Sequence, residues 1–123
     1  MSRKNTSSVR HAQRTALLLR ELSALFLQIT QDNEKLRELY VSRVKLSPDG
    51  GMCVIFFHSS GGLEAFERLR PELVLYKPSM RSALAKLVHS RRVPDLRFVY
   101  DEEFDKHQRV DDLIEKLKQE GKL

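Results

Sequence analysis

The stretch LYVSRVKLSPDGGMCVIFF, residues 39–57, decides the fold. Residues 39–46 alternate in polarity, and residues 52–57 form an apolar run of strand length that is rich in β-branched and aromatic side chains. Between them lies Ser47-Pro48-Asp49-Gly50-Gly51, and Asp-Gly is a strong signal for a tight turn between antiparallel strands. The stretch therefore predicts a β-hairpin.

An amphipathic helix is predicted before the hairpin, beginning near Arg10 and losing its pattern at Gln31-Asp32-Asn33. Its apolar residues recur at spacings of three and four, which places them on one stripe of a helix. They are Ala12, Ala16, Leu18, Leu19, Leu22, Leu25, Phe26 and Ile29. Arg10 and Arg14 fall largely off that stripe and are expected to face outward.

Two helices are predicted after the hairpin. The first covers residues 63–76, with a kink or break at Pro71, because proline lacks the amide proton that a helix interior requires. Pro78 suits the first position of the second helix, which is expected to end near residues 90–92.

A third strand is predicted at residues 96–100, where apolar and other side chains alternate, and a last helix at residues 104–117. The order α-β-β-α-α-β-α indicates an α+β fold, with helices packed on one face of a small three-stranded sheet. The third strand is expected to enter beside the hairpin, since its apolar face is covered there.

The composition bounds the class of protein. The 123 residues, 41% hydrophobic and 32% charged, suit one compact domain. No apolar run approaches the length of about 18 residues that crosses a bilayer, and the polar, basic start is unlike a secretory signal. A single cysteine, Cys53, fits a reducing compartment, so we expect a cytoplasmic protein without a membrane partner.

Positive charge is concentrated in one segment. Residues 77–97 hold six cations against one anion, Asp95, a net +5 that equals the excess of the whole chain. Such a concentration indicates a polyanionic partner, most commonly nucleic acid. The alternative is a solvated helix face with a basic bias.

Three segments together resemble the bacterial ribosome-binding factor A family. They are residues 41–49 (VSRVKLSPD), residues 80–84 (MRSAL) and residues 91–101 (RRVPDLRFVYD). The family has an S-x-D turn in its hairpin and an IR…L…LR-x-x-P-x-L-x-F-x-x-D signature across a helix and the last strand. The resemblance covers residues 10–114.

The resemblance implies a KH-like fold of type II order, αββααβ, here followed by a C-terminal helix. It also implies binding to the small ribosomal subunit during late maturation, near the 5′ end of its rRNA. KH domains clamp nucleotides through a GXXG loop between two helices. The family has an Ala-x-Gly kink at that place instead, and this sequence has Tyr76-Lys77-Pro78.

The candidate RNA-binding residues are the cations of the basic segment and of the first helix. Arginine suits phosphates and base edges, and several cations together release counterions on binding. The set is Lys77, Arg81, Lys86, Arg91, Arg92, Arg97, Arg10 and Arg14. In the competing interpretation, Arg81 pairs with an acidic residue such as Asp101, Arg97 lies on a solvated sheet face, and the N-terminal cations only solubilise the chain.

No catalytic or metal-binding constellation emerges from the sequence. The histidines show no paired spacing with cysteine or with one another, as a metal site requires. Cys53 lies in an apolar strand and is expected to be a core thiol, and the acidic group from Asp101 to Asp105 is expected to cap the last helix. We therefore expect no enzyme, no cofactor, no metal and no small-molecule substrate.

Two hypotheses of function follow. In the first, a KH-like domain at residues 10–118, between a flexible basic arm (1–9) and a short tail (119–123), acts as a monomeric ribosome-assembly factor. In the alternative, the chain is a protein-interaction module that docks through an amphipathic helix and has no RNA partner. Salt dependence separates them, because binding to phosphates weakens steeply with salt.

Overall fold

The computed structural model describes residues 2–87 and 93–121, with side chains from residue 8 onward. Within these residues, four α-helices and three strands follow one another in the predicted order, and a short 3₁₀ helix that was not predicted lies between the first helix and the first strand. They are α1 (Ser2–Asp32), the 3₁₀ helix (Glu34–Glu38), β1 (Leu39–Leu46), β2 (Met52–Ser59), α2 (Gly62–Val74), α3 (Lys77–Leu87), β3 (Asp95–Tyr100) and α4 (Glu102–Gln119). The α+β class and the KH-like order are confirmed.

The predicted hairpin is present, with β1 and β2 antiparallel and Leu46 opposite Cys53. In its turn the Gly50 amide donates to the Ser47 carbonyl (2.9 Å), and the Gly51 amide donates to Asp49 Oδ1 (2.9 Å). Gly50 has a φ of 74°, a left-handed conformation that glycine adopts without steric cost.

The third strand lies beside β2, as expected, and gives the sheet order β1-β2-β3. It runs parallel to β2, with Asp95 opposite Met52 and Tyr100 opposite Phe57. A parallel neighbour requires a crossover connection, and α2 and α3 supply it. Helices α1, α2 and α3 pack on one face of the sheet, whereas α4 contacts His58 near the end of β2, and the rest of the other face is directed toward solvent.

The core lies between α1, α2, α3 and the inner face of the sheet. Alternation along each strand directs one set of side chains inward, and these residues are all buried: Val44, Leu46, Cys53, Ile55, Phe57, Leu96, Phe98 and Tyr100. Phe57 is at the centre, with ring centroids 5.1 Å from Phe26, 5.5 Å from Phe98 and 6.1 Å from Phe66.

Two helix boundaries differ from the expectation. Helix α1 begins at Ser2 rather than near Arg10. Residues 2–9 contain no glycine or proline that would end a helix. They were not predicted to be helical because they carry no apolar stripe. Helix α2 continues through Pro71, which excludes a break but not a kink at this residue, and it ends at Val74 rather than at residue 76. The proline removes only one backbone hydrogen bond, near the end of α2. The turn around Pro71 also buries Leu69 and Leu73.

Helix α3 begins at Lys77, so Pro78 occupies its second position rather than the predicted first one. Both positions belong to the first turn, where amide protons have no partner within the helix. The predicted end at residues 90–92 lies outside the described residues. No helix of the described chain is both long and apolar enough to span a membrane.

Cys53 is the core thiol that the sequence predicted, with no exposed surface. Burial raises the pKa of this thiol to about 11, and the thiolate is the reactive species. We expect a thiol reagent such as dithionitrobenzoate to label native protein at pH ~8 at least about a hundred times more slowly than protein in ~6 M guanidinium. Equal rates would show that the core opens readily.

Candidate nucleic-acid interface

An open cleft of about 690 Å³ lies between α3 and the start of β3, beside the hairpin turn. We call it the α3–β3 cleft, and its lining residues are Gly51, Pro78, Arg81, Ser82, Ala85, Val93 and Asp95. Met80 and Leu84 anchor α3 in the core. Residues 78, 81, 82 and 85 therefore share the opposite side of the helix and face the cleft.

Among the described residues, Arg81 is the cation that lines the cleft. Its Nη2 lies 3.3 Å from Asp95 Oδ1 and donates to the Val93 carbonyl at 3.4 Å. The competing interpretation anticipated an acidic partner for Arg81, and the partner is Asp95 rather than Asp101. Both side chains are at least half exposed, so solvent screens this ion pair and an incoming phosphate can replace the carboxylate.

Lys77 and Lys86 lie at the two ends of α3, adjacent in sequence to the lining residues Pro78 and Ala85. Lys77 Nζ lies 6.0 Å from the centroid of the Phe98 ring, and Lys86 is exposed. Among the described side chains, neither lysine takes part in an ion pair. No acidic residue occupies the first turn of α3, so no negative side chain there neutralises the positive end of the helix dipole.

Arg14 reaches the same region from α1. Its guanidinium nitrogens would lie 3.7 and 3.9 Å from a Cβ placed on Gly50, so the side chain covers the hairpin turn next to Gly51. Arg10 is exposed one turn earlier on the same side of α1. The structure thus brings Arg14 to the hairpin end of the α3–β3 cleft, which the sequence alone did not predict.

Arg97 is not part of the cleft. It alternates with the buried Leu96 and Phe98, so it lies on the face of the sheet that the helices leave open. This is the solvated sheet face of the competing interpretation. Arg91 and Arg92 lie outside the described residues, between Leu87 and Val93 in sequence.

Sequence reasoning missed Arg43, which is held at the junction of β3 and α4. Its Nε donates to Asp101 Oδ2 at 3.0 Å, and its Nη2 lies 3.4 Å from Glu103 Oε2. The guanidinium covers the Phe56 ring, 3.9 Å from the centroid. Outward alternation in β1 was the available signal, but the partner is 58 residues away in sequence.

Asp101 caps α4, as predicted from the acidic group. Its Oδ1 accepts from the Phe104 amide at 3.0 Å, and its Oδ2 accepts from the Ser42 hydroxyl at 2.7 Å. Burial alone would raise the pKa of this carboxyl, but the hydrogen bonds from Ser42, Phe104 and Arg43 outweigh burial and lower the pKa.

Nearby, α4 is fixed by a second contact. The Tyr100 hydroxyl donates to Asp105 Oδ2 at 2.7 Å, and burial followed by this hydrogen bond raises the pKa of Tyr100 to about 12. His58 Nδ1 lies 3.3 Å from Asp105 Oδ1 but forms no hydrogen bond with it. Within the described residues, no three histidine, cysteine or acidic side chains converge as a metal site.

A family model described as ribosome-binding factor A matches residues 10–114. A protein of that name from Prochlorococcus marinus (strain MIT 9301) is 34% identical over 118 residues, which cover 91% of this chain and 87% of the relative. Another, from Rhodopseudomonas palustris, is 35% identical over 74 residues, and the match spans only 53% of that relative.

A solved structure of a protein with the same name has a similar fold. The crystal structure of ribosome-binding factor A from Thermus thermophilus superposes with a TM-score of 0.59 at 27% identity. The match covers 73% of this chain and 94% of that one.

Proposed function

Since the chain belongs to the ribosome-binding factor A family, we propose that it is a ribosome-assembly factor that binds the small ribosomal subunit through its rRNA. The observation that carries the proposal is the α3–β3 cleft. It is lined by Arg81 and approached by Arg14 over the hairpin turn, while Lys77 and Lys86 flank its lining residues in α3. Arg10, Arg91, Arg92 and Arg97 belong to the proposed set of RNA contacts.

The proposed mechanism is electrostatic and conformational. Each cation that meets a phosphate releases counterions, and this release supplies most of the affinity. Arg81 exchanges its partially exposed partner Asp95 for a phosphate, so binding removes one weak ion pair and forms a stronger contact. We propose that the protein holds one arrangement of the rRNA, catalyses no reaction and acts in the cytoplasm. Its release then needs an external trigger.

A second candidate function is supported by α4. None of the side chains described for this helix is buried, and its apolar residues Val110, Leu113 and Ile114 are 54%, 56% and 40% exposed. An unpartnered apolar stripe on a helix is typical of docking onto a protein. In this alternative the basic cleft is incidental, and binding to the partner responds little to salt.

Charge reversal in the cleft tests the proposal. We expect an Arg81→Glu/Lys86→Glu variant to bind purified small subunits about 10 to 100 times more weakly than wild type in co-sedimentation titrations. Its log–log salt slope should be shallower by about 0.7 to 0.9 for each phosphate that the variant no longer binds. The companion variant Arg91→Glu/Arg92→Glu extends the test to the segment between α3 and β3.

The matched control is Lys35→Glu/Arg70→Glu, which makes the same change in net charge at exposed positions outside the cleft. It is expected to bind within about threefold of wild type. Wild-type protein that stays in the supernatant at low salt would refute ribosome binding and favour the docking module. Binding that is weakened equally in control and cleft variants would mean that net charge, rather than the cleft, attracts the rRNA.

A further inference from the structure

The sheet presents a second basic surface on the side opposite α1, α2 and α3. We call it the outer sheet surface, and it consists of Arg43, Lys45, Val54, Phe56, Arg97 and Val99. Strand pairing arranges these residues in two rows across the three strands. Lys45, Val54 and Arg97 form one row. Arg43, Phe56 and Val99 form the next.

Lys45 and Arg97 flank Val54 at opposite edges of the sheet. Two strand spacings separate them, so their Cα atoms lie about 10 Å apart. Both are exposed, and neither belongs to an ion pair within the described part of the chain. The two cations are therefore available to an external anion.

Four acidic groups near the outer sheet surface are already engaged, while Glu67 and Glu102 lie beside its second row, in a hollow that Arg43, Phe56 and Val99 also line. Asp95 pairs with Arg81 on the cleft side, and Asp101 and Glu103 pair with Arg43. Asp105 accepts from the Tyr100 hydroxyl and lies beside His58. Because none of these four described carboxylates forms an ion pair with Lys45 or Arg97, the first row keeps its two positive charges.

Arg43 supplies a fixed flat group in the second row. Asp101 and Glu103 hold its guanidinium from the α4 side, and one face of the group covers the Phe56 ring. The side chain nevertheless remains 43% exposed. An arginine that is already immobilised loses little conformational entropy when a planar ligand stacks on it.

We propose that the outer sheet surface is a second rRNA-contact surface, in which Lys45 and Arg97 bind phosphates and the Arg43 guanidinium stacks on an unpaired base. Single-stranded RNA suits this combination, because backbone-tracking cations beside a stacking platform are its usual recognition elements. A protein partner suits it less, since Val54, Phe56 and Val99 are only partly exposed. Together with the α3–β3 cleft, this surface lets one protein hold two rRNA segments on opposite sides of its sheet.

The inference rests on the proposed function, and a Lys45→Glu/Arg97→Glu variant tests it separately. We expect this variant to bind small subunits at least about tenfold more weakly than wild type in co-sedimentation, with a salt slope shallower by about 1.4 to 1.8 for two phosphates. The control for net charge is here Arg20→Glu/Lys35→Glu, at exposed positions of α1 and the 3₁₀ helix, because Arg70 lines a hollow together with Arg43, Phe56 and Val99. Because both positions are exposed on the sheet, thermal melting and circular dichroism should match wild type.

The Arg43→Lys variant tests stacking separately. It keeps the positive charge and the Asp101 partner, but lysine has no planar group that could stack on a base. We expect a loss of affinity of about threefold to tenfold with an unchanged salt slope. Combining the outer and cleft reversals should multiply the two losses, as expected for independent contacts.

Each result bears on a different claim. Wild-type affinity in the outer variant, or a loss no larger than that of the control, would overturn the second surface and leave the cleft in place. If Lys45→Glu/Arg97→Glu loses affinity for small subunits but keeps the salt slope of wild type, the surface contacts protein, and the proposed second rRNA-contact surface is overturned as well. Failure of wild type to bind subunits would refute the proposed function, and with it this inference.

Discussion

Replacing Phe57 with alanine is expected to lower the free energy of unfolding by about 3 to 5 kcal/mol. Phe57 lies in the central strand, has no exposed surface and contacts rings from α1, α2 and β3. Truncation removes apolar burial and leaves a cavity that three different elements would have to close together. Because small domains are stable by only about 5 to 15 kcal/mol, a large part of the total is lost.

Urea denaturation followed by circular dichroism measures the loss, and Phe104→Ala is the matched control. Phe104 is 40% exposed on α4, and its ring centroid lies 4.2 Å from that of His58, near the end of β2. The same truncation there should cost about 1 kcal/mol or less. Losses of equal size at both positions would contradict the central role of Phe57.

The sequence predicted the elements that depend on local pattern. The hairpin followed from Asp49-Gly50 between two strand-like runs, and α1 followed from an apolar stripe with a period of about 3.6 residues. The start of α1 could not be predicted in this way, because residues 2–9 are helical without an apolar side. The continuation of α2 through Pro71 depends on the packing of Leu69 and Leu73, which is tertiary.

The candidate site was predicted only in part, for a similar reason. The concentration of positive charge identified Lys77, Arg81 and Lys86. It gave no reason to divide the basic segment between two surfaces. Alternation within β3 already implied that Arg97 faces away from the helices that cover Leu96 and Phe98. Lys45 pairs with Val54 inside the predicted hairpin, but the pairing of Val54 with Arg97 joins segments that are far apart in sequence, and no local pattern records it.

Replacing Asp101 with alanine is expected to lower the free energy of unfolding at pH ~7 by about 2 to 4 kcal/mol. The carboxylate side chain is only 3% exposed and serves three donors at once: the Ser42 hydroxyl, the Arg43 guanidinium and the Phe104 amide. Its removal takes away the cap of α4 and leaves the other polar groups without their partner. The expected loss of stability is near the lower end of the range for breaking a buried ion pair, because Arg43 is 43% exposed and water can reach it.

The dependence of this loss on pH identifies the ionised carboxylate as its cause. The pKa of Asp101 is lower in the folded protein than in the unfolded chain, so its charge contributes stability above the unfolded pKa of about 3.9. That contribution disappears as the pH falls through the folded pKa. Urea titrations should therefore show a constant difference between wild type and Asp101→Ala from pH ~7 to about 5, and a smaller one at pH ~3.

Glu103→Ala is the control for the Asp101 variant, since Glu103 contacts the same arginine but its side chain is 68% exposed. We expect it to cost about 0.5 kcal/mol or less at any pH. A difference between wild type and Asp101→Ala that stays the same at pH ~3 would mean that packing and the neutral hydrogen bonds, rather than the charge, hold β3 to α4. In that case Arg43 would keep its position without an ionised partner, and Arg43→Lys would test stacking alone.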